Sequence, residues 1–343
     1  MSDATKIVCK NVWKIFGNYP ERTLENLDRS LTRAEVQDQT NHVIGVNDVS
    51  FEVNQGETFV VMGLSGSGKS TLVRCISRLI EPTAGEVLID GEDIMQFNDA
   101  QLTEMRRFRM SMVFQHFGLF PHRKVIDNII FGLEVRGMDK KERMAKATEV
   151  LDMVGLHGWG DHYPRELSGG MQQRVGLARA LAVDPEILIF DEPFSALDPL
   201  IRREMQDELI SIQNELQKTM IFITHDFLEA IKMGDHIAIM KDGVVVQIGT
   251  PEDIVANPVD DYVREFTEDV PRYKVLSVGK VMREASAEVK RSDVDRCFTT
   301  DKLDSLIDLA TQSKGPLAVI DENNEVVGEI DQTIILKAMD SRS

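Results

Sequence analysis

The chain has 343 residues, with 39 Lys and Arg against 57 Asp and Glu, and a formal charge of −18 at pH 7. Hydrophobic residues at 42% and charged residues at 28% exclude a disordered chain, and the acidity argues against a nucleic-acid partner, because phosphate backbones are bound by basic patches. Cys9, Cys75 and Cys297 are too few and too far apart for a disulfide framework or metal-ligand spacing, which fits a reducing compartment.

At roughly 150 residues per domain the length predicts two domains. Lys6 to Phe16 reads as a strand, followed by a polar excursion over about 17–42. There Leu24, Leu27 and Leu31 repeat at helical spacing and Thr32-x-x-Glu35 has the form of a capping box. Alternation over 45–53 predicts a half-buried strand. From 57 to about 248, apolar strands at 57–62, 111–114, 186–190, 220–224 and 236–240 alternate with helical runs at 69–80, 139–155, 169–183, 200–217 and 226–233. That order predicts an α/β fold with a parallel sheet covered on both faces, and the early strands suggest an antiparallel β subdomain. After Pro251 and Pro258 a second small unit is expected, with a helix at 302–313, strands at 317–320 and 326–330, and a last helix capped by Asp331. The longest apolar runs are strand-sized, so any membrane role is expected to pass through a partner.

Gly63-Leu64-Ser65-Gly66-Ser67-Gly68-Lys69-Ser70 fits G-x-x-x-x-G-K-[ST] between an apolar strand and a helix. Glycines let the backbone wind round phosphates, and the helix N-terminus adds its positive dipole end. Lys69 is placed to reach the β- and γ-phosphates and Ser70 to offer its hydroxyl to Mg²⁺. Ile187-Leu188-Ile189-Phe190-Asp191-Glu192 ends a buried strand in two carboxylates, Asp191 suited to Mg²⁺ and Glu192 to polarising water as a general base. Leu167-Ser168-Gly169-Gly170-Met171-Gln172-Gln173 is a second glycine-rich helix start with Ser168 as N-cap. Bland readings stand beside these: a turn without ligand, a solvated carboxylate pair, and a helix cap alone. His116, His122, His157 and His162 read as surface or capping residues, and the 16 methionines as core filler.

In this order and spacing the chain resembles the ATP-binding-cassette (ABC) ATPases over about residues 6–265. Leu167 to Gln173 is similar to the family's signature, Gln115 after Met112-Val113-Phe114 to its Q-loop, Ser195-Ala196-Leu197-Asp198 to its D-loop, and His225 to its switch histidine. The resemblance implies an ABC domain over 1–265, with a helical subdomain near 100–170, working as a head-to-tail homodimer. Two ATP molecules would lie at its interface. Gly63, Ser65, Gly66, Gly68, Lys69, Ser70 and Thr71 would bind the phosphates, and Ser168, Gly169, Gly170 and Gln172 would complete the site from the other chain. Ser70, Gln115 and Asp191 would serve Mg²⁺, Glu192 and His225 catalysis, and Asp198 the D-loop. Phe16 falls where the family stacks an aromatic on adenine, with Trp13 as competitor and a core aromatic as the plain alternative.

Lys14-Ile15-Phe16-Gly17 before the insertion, Arg78 to Thr83, Ser168 to Leu181 and Ala196 to Arg202 narrow the resemblance to ATPase subunits of glycine betaine/proline-type importers. This implies import of glycine betaine, choline, carnitine, proline betaine or trimethylamine N-oxide. It also implies a membrane permease, a substrate-binding protein, and a peripheral place on the cytoplasmic face of the inner membrane. The family often carries two CBS modules, whereas 270–343 has room for a single CBS-like unit, with regulation or dimerisation as its expected role. Alternatives are a cassette ATPase not coupled to transport and an importer of an unrelated solute.

Overall fold

Phe59-Val60-Val61-Met62 and Ile187-Leu188-Ile189-Phe190 are apolar at every position rather than every second one, which requires cover on both faces. The computed structural model describes residues 4–115, 118–286, 289, 294–313 and 315–339, and in it both runs are buried strands. His116 lies outside the described residues. The chain divides into two compact units, 1–246 and 247–343, so the motif-based boundary near 265–270 lies inside the second unit.

The first unit contains β1 (Thr5–Phe16), β2 (Val43–Asn54), β3 (Thr58–Met62), β4 (Ala84–Ile89), β5 (Glu92–Asp93), β6 (Met110–Val113), β7 (Ile187–Asp191), β8 (Thr219–Thr224) and β9 (His236–Lys241). The unit boundary falls within β10 (Val244–Gly249). An antiparallel sheet runs β2-β1-β4-β5, and a larger sheet runs β10-β9-β3-β8-β7-β6, in which β9, β3, β8, β7 and β6 are parallel. The two sheets share one core. Phe51 of β2 stacks on Phe59 of β3 with centroids 4.7 Å apart, beside Ile7, Leu72, Ile89 and Ile221.

The helix after β3 spans Lys69–Ile76, four residues shorter than the apolar pattern to 80 predicts. Its end is set by side chains: Ser77 Oγ donates to Val73 O at 3.1 Å, and Arg78 turns to φ +48°. The Arg78 guanidinium then donates to Ile94 O at 2.6 Å and Phe97 O at 3.0 Å, partners outside the helix.

The polar excursion folds into two short helices, Pro20–Glu25 and Arg33–Thr40. Leu24, Leu27 and Leu31 pack on Ile15, Val36 and Ile44, a small core at the ends of β1 and β2. The capping box forms, with Thr32 N on Glu35 Oε2 at 2.7 Å and Glu35 N on Thr32 Oγ1 at 3.3 Å. His42 closes the base of the segment, its Nε2 lying 2.7 Å from Asn18 O. A Cβ on Gly17, at φ +143°, would stand 2.2 Å from that ring.

In the second unit, β11 (Arg296–Phe298), β12 (Leu317–Ile320) and β13 (Val326–Ile330) form one sheet, β11 parallel and β13 antiparallel to β12. The expected helix at 302–313 is instead a 3₁₀ turn, Leu303–Leu306, followed by a helix, Ile307–Gln312. Leu306 at φ −96°, ψ −7° breaks the regular turn; of the expected apolar face Leu303, Leu306, Ile307 and Ala310, Ile307 is half-buried and the other three are buried. Asp331 Oδ1 accepts from Ile334 N at 2.9 Å at the start of the last helix, Gln332–Met339. Buried Glu329 accepts from the Ser286 hydroxyl and N–H and, less strongly, from Arg283 Nε, hydrogen bonds that hold its carboxyl below its ordinary range. No described helix is long and apolar enough to cross a membrane.

Candidate active site

The carboxyl ends of β3, β7 and β8 bring the chemistry-bearing loops to one edge of the parallel sheet. Leaving β3, the chain enters the Gly63–Ser70 loop, where two glycines are required by the surrounding backbone. A Cβ on Gly63, at φ +149°, would stand 2.2 Å from Met240 O, and one on Gly68, at φ +105°, 2.3 Å from Gly45 O. Lys69, 4% exposed, donates to Gly63 O at 2.8 Å and Leu64 O at 3.1 Å, with Glu192 Oε1 at 3.7 Å. Burial pushes its ammonium pKa down, opposed by the charges of Glu192 and Asp191. Ser70 Oγ donates to Asp191 Oδ1 at 2.8 Å, and Arg74 Nη2 lies 3.4 Å from Asp191 Oδ2. Ser67 Oγ is buried with no hydrogen-bond partner among the described residues.

Beyond β7, Glu192 has φ +48°, a left-handed backbone held by its N–H donating to Ile223 O at 3.1 Å. Its Oε2 meets His225 Nδ1 at 3.1 Å. Gln115 Nε2 donates to Ser195 Oγ at 3.2 Å, and Ser195 Oγ donates to Glu192 O at 3.0 Å, so Gln115, Ser195, Glu192 and His225 form one connected edge. A cavity of about 350 Å³ opens over the loop, lined by Phe16, Arg33, Gly45, Ser65, Gly66, Gly68, Lys69, Ser70, Thr71, Gln115 and Glu192. Phe16 is 39% exposed on its wall, whereas Trp13 is 5% exposed and does not line the cavity. Gly45 makes room for the Phe16 ring, since a Cβ there would stand 2.7 Å from it.

The fold separates the second glycine-rich segment from this cavity. Ser168 caps the helix Gly169–Ala182, its Oγ accepting from Met171 N, and Gln172 Nε2 donates to Leu167 O at 3.1 Å. A Cβ on Gly170 would meet Ile201 at 2.5 Å, a close approach that needs glycine. Asp198 Oδ1 accepts from Leu200 N and Ile201 N at the start of the helix Pro199–Leu216. Two lining residues, Arg33 and Gly45, carry no motif; the one sequence signal at Arg33 is the Thr32-x-x-Glu35 capping box it lies within.

A phosphate-loop and carboxylate arrangement of this kind has relatives. A family model described as ABC transporter matches residues 46–195. The trimethylamine N-oxide transport system ATP-binding protein of Pelagibacter ubique is 50% identical over 346 residues, covering 100% of this chain and 99% of that protein. The chain is an ABC-transporter ATP-binding subunit. The glycine betaine transport ATP-binding protein of Bacillus subtilis is 55% identical over 280 residues, covering 82% of this ABC subunit and 67% of its own length. A dimeric ATP-binding cassette solved in a post-hydrolysis state with ADP and Pi is 33% identical at a TM-score of 0.61, covering 71% of this chain and 98% of that one. ATP is therefore the nucleotide of this ABC subunit, and its hydrolysis is the activity. The cassette fold matches the α/β expectation.

On the helix Phe227–Met233, which follows His225, Glu229 is 6% exposed and accepts from Gln206 Nε2 at 2.9 Å. Burial raises its carboxyl pKa above the ordinary 4.5, so the ionised form is disfavoured in the fold. Folding costs nothing extra below the unfolded value, where both states are protonated. The penalty grows as pH rises through the window above 4.5 and is complete above the folded value. Glu229→Gln is expected to raise the melting temperature at pH 8 and to lose that advantage near pH 4, read by thermal scans across the range. An equal effect at both pH values would rule out the charge as the cause.

Proposed function

We propose that the chain is the motor of an importer for trimethylamine N-oxide or a closely related methylated amine, working as a homodimer under a separate permease at the cytoplasmic face of the inner membrane, with a substrate-binding protein supplying the solute. The observation that carries this is the full-length match, tail included, to the trimethylamine N-oxide subunits of Pelagibacter ubique and of Ruegeria pomeroyi, the latter covering 97% of both chains. Relatives named for glycine betaine, carnitine or choline transport cover 81–84% of this chain and 67–75% of their own lengths. The 55% identity within the shared region keeps glycine betaine as the second reading. The tail fits a single CBS-like unit serving dimerisation or regulation.

In the mechanism, N–H groups of Ser65 through Thr71, with the bare backbone at Gly63, Gly66 and Gly68, cradle the phosphates, while Lys69 neutralises them. Phe16 offers its ring to the adenine. The hydroxyl and carboxylate of Ser70 and Asp191, already paired at 2.8 Å, are the hard oxygen donors that Mg²⁺ prefers, with Gln115 beside them. Bound there, Mg²⁺ would spread the negative charge of the β- and γ-phosphates. Glu192, held by His225 at 3.1 Å, takes the proton of the attacking water, and the γ-phosphate contact is assigned to His225. Ser168, Gly169, Gly170 and Gln172 stand outside the cavity of their own chain, which supports their completing the site of a second copy, with Asp198 at that junction.

The test is uptake in the native cell, comparing the natural chain with Glu192→Gln, using labelled trimethylamine N-oxide, glycine betaine, choline and carnitine at low and high salt. Loss of trimethylamine N-oxide uptake alone is the expected result, and loss of betaine uptake alone would favour the second reading. Unchanged uptake of all four would overturn the methylated-amine assignment.

A further inference from the structure

We propose that Arg33, carried on the inserted segment, is a nucleotide-binding residue that donates to the phosphates of ATP from above the loop. This rests on the ATP-site reading above. Arg33 Nη1 donates to Gly66 O at 2.7 Å, at the glycine whose Cβ position has nothing within 4 Å. That bond uses one of five guanidinium N–H groups, and the side chain lines the same cavity as Phe16 and Lys69. A planar guanidinium matches phosphate oxygens in pairs.

Charge balance points the same way. Lys69 and Arg74 stand against the two carboxylates Asp191 and Glu192, so these four charges cancel and leave no net positive charge for a polyphosphate. Arg33 forms no ion pair among the described residues, so its positive charge is uncommitted where an anionic ligand would lie. Its position is also prepared before any ligand arrives. The Thr32–Glu35 capping box fixes the start of its helix, and Val36, 1% exposed, anchors that helix on Ile15 and Ile44. The insertion thus has a functional reason to keep its own small core: it sets a cation over the phosphate loop.

The experiment measures ATP affinity by calorimetry in Mg²⁺-free buffer, and KM and kcat for hydrolysis with Mg²⁺. It uses the full chain, Arg33→Ala, Arg33→Gln and Arg33→Lys. A charge-assisted contact predicts about a tenfold rise in Kd and KM for Arg33→Ala, with kcat at saturation and the melting temperature little changed. Arg33→Gln keeps a donor for Gly66 O but no charge, and it is expected to lose as much. Arg33→Lys should recover part of the affinity, because it restores charge without the fork. Unchanged Kd in Arg33→Ala and Arg33→Gln, with normal ATP binding by the natural chain, overturns the inference alone. Absence of ATP binding by the natural chain would overturn the ATP-site reading and this inference with it.

Discussion

Glu192→Gln is expected to lower steady-state ATP hydrolysis by about 10²- to 10⁴-fold, the usual range for removing a general base, while ATP affinity is kept or rises. The amide is isosteric and can still accept from His225 Nδ1, now 3.1 Å from Glu192 Oε2, so the loop geometry survives. What it cannot do is take a proton from water. It also removes one negative charge 3.7 Å from Lys69, which leaves the ammonium freer for phosphate. Phosphate release and equilibrium ATP binding on the same preparation separate the two effects. Hydrolysis within tenfold of the natural chain would move the base elsewhere.

Gly63→Ala has the second largest expected effect, and on folding as well as binding. At φ +149° the new Cβ would stand 2.2 Å from Met240 O of β9 and 2.8 Å from Ser67 Oγ. Carbonyl backbone in the parallel sheet cannot move aside cheaply, so strain and overpacking together should cost about 3 kcal/mol or more. For a unit of this size that is a fall in melting temperature of about 10 °C, with ATP affinity lost in parallel. A thermal scan within 2 °C of the natural chain would show that the loop relaxes away from β9, against this account.

Much of this architecture is legible in the residues because the signals are local. Phe59 to Met62 and Ile187 to Phe190 lack any polar alternation, and Gly63 to Ser70 joins a strand to a helix in the one spacing a phosphate loop uses. The Thr32–Glu35 cap is equally local. The parts that escaped depend on long-range partners. Helix 69–76 stops because Arg78 finds carbonyls at Ile94 and Phe97, positions that only the fold brings near. β11 has three residues with one buried, Cys297, too short for a periodic signal. Arg33 reaches Gly66 across 33 positions, and nothing in its own neighbourhood announces that contact.

The left-handed backbone at Glu192 carries a conflict between durability and work. A non-glycine residue at φ +48° costs on the order of 1 kcal/mol, which glycine would not incur. Directed evolution for heat resistance alone therefore rewards replacing the very side chain we propose as the general base, and its winners are expected to be sturdy, silent proteins. Thermostabilising this subunit calls for selection on transport at every round, or for leaving position 192 out of the library.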